Sequence, residues 1–160
     1  MPIEMFLKLA GIDGESTDAK HKGEIDVLAW SWGLSQEAPS HTGGGGGAGR
    51  VNVENISIQK LVDLASPLLL SYSATGKRIA TGTLTTRKPG KAAAEFLLFK
   101  MTDVVVTSVH VAASKDDSVP AENITLNFSK VEFTYLPQKA GGGLGGAVSF
   151  KWDVAAGKAV

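Results

Sequence analysis

Apolar and polar residues alternate along most of this chain with a period of two, and that pattern predicts strands. The first is Ile3–Leu9, where Ile3, Met5, Leu7 and Leu9 oppose Glu4 and Lys8. The second, Gly23–Gly33, starts with Ile25 and Val27 on one side and Glu24 and Asp26 on the other. From Leu28 onward the sides exchange character. Leu28, Trp30, Trp32 and Leu34 take the parity that began acidic, and Ala29, Ser31 and Gly33 take the other. Successive strand side chains point to opposite faces, so the two indoles share one side. A buried indole removes about 150–250 Å² from water. Trp30 and Trp32 are therefore expected as core anchors, which leaves Ala29, Ser31 and Gly33 as a smooth strip facing something else.

Further strands are predicted over Val51–Ile58, over Ile79–Arg87 with Thr81, Thr83 and Thr85 on one face, and over Glu95–Val111. The last of these is apolar on both parities, which implies burial on both sides or a bend between two sheets. Glu122–Leu136 carries Ile124, Leu126 and Phe128 on one parity, then Val131, Phe133 and Tyr135 on the other. That slip marks a bulge or a crossing between sheets. The final strand has the strictest alternation, Val148, Phe150, Trp152 and Val154 against Ser149, Lys151 and Asp153. One helix is predicted, about Pro67–Thr75, with Ser66 as N-cap, proline at its first position and Gly76 after its last turn. Strands without a βαβ rhythm predict a mainly β fold: a small antiparallel β-barrel of two packed sheets with one short α-helix. Residues 1–160 are read as one domain, with mobile loops at 38–50 and 140–146 and a frayed tail at 155–160.

Composition narrows the function classes. Sixteen basic and sixteen acidic residues cancel, so nothing favours nucleic acid or an anionic membrane as partner. Cysteine is absent, which removes disulfides, thiol nucleophiles and thiolate metal sites. The opening Met-Pro-Ile-Glu-Met-Phe lacks a basic n-region and is not read as a signal peptide. The apolar run Leu68–Leu70 is far too short to span a bilayer.

Candidate chemistry is thin. Gly44–Gly49 followed by Arg50 and Val51 superficially resembles a phosphate loop, but arginine replaces the lysine, the hydroxyl is missing and a strand follows. Asp13, Glu15, Thr17 and Glu24 occupy ligand positions of a calcium-loop pattern, yet Asp18 stands where glycine is needed and no helices flank it. His21, His41 and His110 have no second ligand at i+4 and no catalytic partner in view. Asn55-Ile-Ser57, Asn123-Ile-Thr125 and Asn127-Phe-Ser129 fit the glycosylation sequon, which carries no weight without a secretory leader. No enzyme, cofactor site or metal site is expected.

The chain resembles the haemolysin-coregulated protein family, the inner-tube subunits of bacterial type VI secretion systems. The resemblance covers nearly the whole length. It rests on Met5-Phe6-Leu7-Lys8-Leu9, Gly14-Glu15-Ser16 with Asp18, and above all Glu24-Ile25-Asp26-Val27-Leu28-Ala29-Trp30-Ser31-Trp32-Gly33. Behind these come Gly43–Gly49, Ser66-Pro67, Thr125-Leu126-Asn127-Phe128, and Tyr135 with Pro137-Gln138-Lys139. It implies hexameric rings that stack into a tube, assemble in the bacterial cytoplasm, and leave for the extracellular space or a target cell. Implied partners are further copies of the chain, sheath and spike or baseplate proteins, and small effector proteins held in the lumen. With it, Ala29, Ser31 and Gly33 are expected to line the lumen, and Gly43, Gly44, Gly45, Gly46, Gly47, Ala48, Gly49 and Arg50 to contact the next ring. The alternative is a secreted monomeric effector or binding module on the same scaffold.

Overall fold

A computed structural model describes residues 2–37, 50–90, 94–139 and 143–160. Eleven strands and one helix follow in the order β1 (Glu4–Leu9), β2 (Ile25–Asp26), β3 (Ala29–Ser31), β4 (Leu34–Gln36), β5 (Val51–Val53), β6 (Ile56–Leu61), α1 (Ser66–Thr75), β7 (Arg78–Lys88), β8 (Ala94–Ala112), β9 (Ala121–Tyr135), β10 (Val148–Asp153) and β11 (Lys158–Ala159). Nine strands make one antiparallel sheet, and β4 with β5 makes a separate two-stranded ribbon. The fold is mainly β, in two sheets with one short helix.

The expected closed barrel is not formed among the described residues. β9 pairs with β8 along its length, but its other edge is shared: β6 takes Ala121–Leu126, and β10 takes Lys130–Tyr135. The sheet forks there. Near the fork Asp103 adopts a left-handed backbone, φ +56°. Burial changes parity on both strands around it, from Phe99 and Met101 to Val104 and Val106 on β8, and from Phe128 to Val131 on β9. The register slip read along 122–136 is this change of partners.

The tryptophan segment breaks in the same manner. β2 pairs with β1, Phe6 opposite Asp26, and β3 pairs with β6, Trp30 opposite Ile58. In the break between them Val27 N–H bonds Met5 O and Leu28 N–H bonds Gln59 O. Ile25 and Val27 are buried before it, Trp30 and Trp32 pack on the core after it, and Leu28 stays exposed. The exchange of faces is a change of partner strand.

Three local expectations need correction. Ser66 is the first helical residue rather than the N-cap; Ala65 holds the cap position without a side-chain bond. The Ser66 hydroxyl instead accepts from Asp63 N–H at 3.0 Å and donates to Glu122. Gly76, at φ +71°, ends the helix by donating to Tyr72 O, a left-handed position that suits glycine. The segment 11–23 is not a solvated loop. Ile12, Ser16 and His21 are buried, and His21 stacks on Phe6 at 4.5 Å between ring centroids. Finally, the tail at 155–160 turns back, and Lys158–Ala159 pairs with Trp152–Asp153.

Candidate functional site

The ladders from β3 across to β8 align two rows of side chains on the open side of the sheet. One row runs Ser31, Ser57, Thr125, Ser108; the next runs Ala29, Gln59, Asn123, His110. Alternation along each strand sends the other set inward: Trp30, Ile58, Ile124 and Leu126 belong to the core or pack on it. Trp30 lies 6.1 Å from Phe99, and Trp32 lies 5.0 Å from Phe99 and donates its indole N–H to Glu54 O at 2.9 Å. Both are half-buried.

The open side is polar, short-chained and almost free of charge. A register shift between Val106 and Ser108 brings two hydroxyls onto Thr125. The Thr125 hydroxyl lies 2.6 Å from those of Thr107 and Ser108. Asn55 donates to the Thr107 hydroxyl at 3.3 Å, and Asn127 donates to Asn55 Oδ1 at 2.9 Å. Bonding among themselves fixes these groups and leaves a flat surface without a projecting ion. Such a surface can hold a partner through hydrogen bonds and close approach. It contains no matched acid and base.

Of the sequence-predicted strip, Ala29 and Ser31 are exposed and in register with these rows. Gly33 lies past the end of β3, its O accepting Glu54 N–H at 3.0 Å. Residues 43–49 of the predicted ring-stacking loop lie outside the described residues; Arg50 is described and exposed. Ser57, Gln59, Asn123, Thr125 and Ser108 were missed. A signal for them was present, because the sequon-like Asn-x-Ser/Thr triplets at 55, 123 and 127 are outward-facing polar pairs on half-buried strands.

The charged groups are spent elsewhere. Lys60 is fully buried and reaches Glu122 Oε2 and Asp63 Oδ1, both at 2.8 Å. Arg87 donates to Asp18 with both of its terminal nitrogens, one at 2.9 Å, and to Glu4 at 3.0 Å. The Asp18 carboxyl is held down at about 2 chiefly by that hydrogen bond from Arg87. The same bond raises Arg87 above its ordinary value. The calcium-like positions are committed too: Glu15 accepts Leu64 N–H at 2.8 Å, and Glu24 bonds His21 Nδ1 at 2.8 Å. Among the described residues no group of three or more His, Asp or Glu could hold a metal, and no helix is long and apolar enough to cross a membrane.

Three comparisons bear on this architecture. The family model described as "Type VI secretion system effector, Hcp" matches residues 6–135. Protein hcp1 of Pseudomonas aeruginosa is 44% identical over 156 residues, 96% of each chain. Among solved structures, Hcp1 from Salmonella typhimurium superposes with a TM-score of 0.84 at 38% identity, covering 100% of both chains. A structure described as a type six secretion system protein superposes with a TM-score of 0.91 at 30% identity, covering 98% of this chain and 99% of the other. Sequence and fold agree over the whole length, and the chain belongs to the Hcp family of type VI secretion proteins.

Proposed function

We propose that this chain is an inner-tube subunit: homohexameric rings stack into a tube that is exported with the secretion machine and holds small effector proteins in its lumen. The observation that carries the reading is the open face through Ser31, Ser57, Thr125 and Ser108, polar and uncharged on a sheet whose other side is core. A channel wall of that kind lets a folded cargo approach closely without paying to desolvate fixed charges. Ala29 and Ser31 belong to that wall, and Gly33 borders it. Sheath and spike or baseplate proteins are the outer partners, and the route leads from the bacterial cytoplasm to the extracellular space or a target cell.

The segment Gly43–Gly49, with Arg50, is assigned to contact with the next ring, because a glycine run of this length has little of its own to bury. Negative-stain imaging of the purified chain tests both parts. The unaltered chain is expected to show rings with an open centre, and a chain lacking part of Gly43–Gly49 to show single rings with few stacks. Monomers alone would contradict the tube reading, and tube growth undiminished by the deletion would contradict the loop's role.

A further inference from the structure

β10 carries the most regular alternation in the sequence, yet the chain does not cover its apolar side. Val148 is 68% exposed and Phe150 38% exposed. Leu34 across the gap on β4 is also exposed. Between the β4–β5 ribbon and the stretch from Phe150 to Gly157 lies an open cleft of about 840 Å³, lined by Leu34, Val51, Val53, Phe150, Trp152 and Val154. Arg50 stands in the lining and makes no ion pair with any described residue. The Trp152 indole N–H is buried without an acceptor among the described residues. An alternating strand with its apolar side open is an incomplete interface.

The start of α1 presents the complementary surface. Leu64, 62% exposed, and Leu68 project from the turn into the helix. Glu15 bonds Leu64 N–H, Asp63 is its chain neighbour, and Asp26 lies within reach of both carboxylates. Desolvation, with the negative charges of Asp63, Asp18 and Glu15, pushes the Asp26 carboxyl up, against a hydrogen bond from Ser16. This is an apolar shoulder with surplus negative charge, matching an apolar cleft with an unspent cation. The two surfaces also lie apart. Leu61, at the shoulder, is opposite Ala121 on β9, and Phe150, at the cleft, is opposite Phe133. About twelve strand residues separate them, roughly 40 Å at 3.3 Å per residue.

We infer that neighbouring copies of this chain join by seating the acid-rimmed start of α1 of one copy in the cleft between the β4–β5 ribbon and β10 of the next. Two different patches at opposite ends make a heterologous contact, which closes into a ring when the rotation allows. The inference rests on the tube reading and names the surface that builds the ring.

The test uses two variants, Leu34→Glu to spoil the cleft and Leu64→Glu to spoil the shoulder, read by sedimentation velocity at concentrations where the unaltered chain is assembled. Each variant alone is expected to sediment as a monomer. Mixed in equal amounts they retain one good cleft and one good shoulder, so dimers should form and nothing larger. If either variant loses its cooperative melting transition, Arg50→Glu replaces Leu34→Glu, or Leu68→Glu replaces Leu64→Glu, and the same mixture is read. Rings from either variant alone, or a mixture that stays monomeric, would overturn the interface. An unaltered chain that forms no rings would instead overturn the tube reading on which it rests.

Discussion

Lys60 is a large side chain with no exposed surface, on a strand whose alternation would ordinarily send an apolar residue inward. Its ammonium group is matched by Glu122, Asp63 and Ser66, the last at 3.3 Å. Two ions taken out of water each cost several kcal/mol, offset only by close pairing and further hydrogen bonds. Removing one partner leaves the other stranded. Lys60→Met is expected to lower unfolding free energy by about 3–5 kcal/mol in urea titrations, and adding Glu122→Leu should restore much of it. A single variant within about 0.5 kcal/mol of the unaltered chain would contradict the account. Asp18 gives a second prediction, with a sign. Its folded carboxyl titrates at about 2, below the model value of 3.8, because the ionised form accepts from Arg87. Its contribution is therefore fully present above about 3.8 and is lost as pH falls through about 2. Acid-unfolding curves of the unaltered chain and Asp18→Asn should differ above that window and converge below it. Curves that stay equally far apart at the acid end would contradict it.

At the scale of elements, the period-two pattern located the strands because one side of each packs on the core. It could not say which strand lies beside which. The two long strands, β8 and β9, were legible almost to their ends, since local alternation suffices for them. The sheet's fork, the partner change after Asp26 and the buried packing of 11–23 were not, since each depends on contacts many residues apart. Asp18 and Arg87, and His21 and Glu95 at 2.7 Å, are such contacts. The candidate face was half legible for the same reason: Ala29 and Ser31 follow from parity, whereas Ser57, Thr125 and Ser108 join them only through register. Ser31 sits at the start of that hydroxyl row with an exposed side chain, so a long charged replacement changes the face and spares the core. Ser31→Arg is expected to leave assembly intact and to weaken effector retention in a pull-down several-fold. Loss of rings would place Ser31 in a subunit contact instead.

At the scale of the molecule, the chain distributes its surfaces unevenly. One side of the sheet is core, the opposite side near β3 is uncharged and polar, and two apolar patches at separate ends remain uncovered. A protein that worked alone would gain by covering those patches; a subunit joined head to tail keeps them for its neighbours. Balanced charge, sixteen of each sign, does not hinder many copies from packing together. The most direct measurement is the mass of the purified, unaltered chain in solution by sedimentation equilibrium across a concentration series. One chain is 16.7 kDa, so a ring of six is about 100 kDa. The account predicts a species at about that mass that accumulates with concentration, with multiples of it above. A single species at 16.7 kDa over the whole series would contradict it.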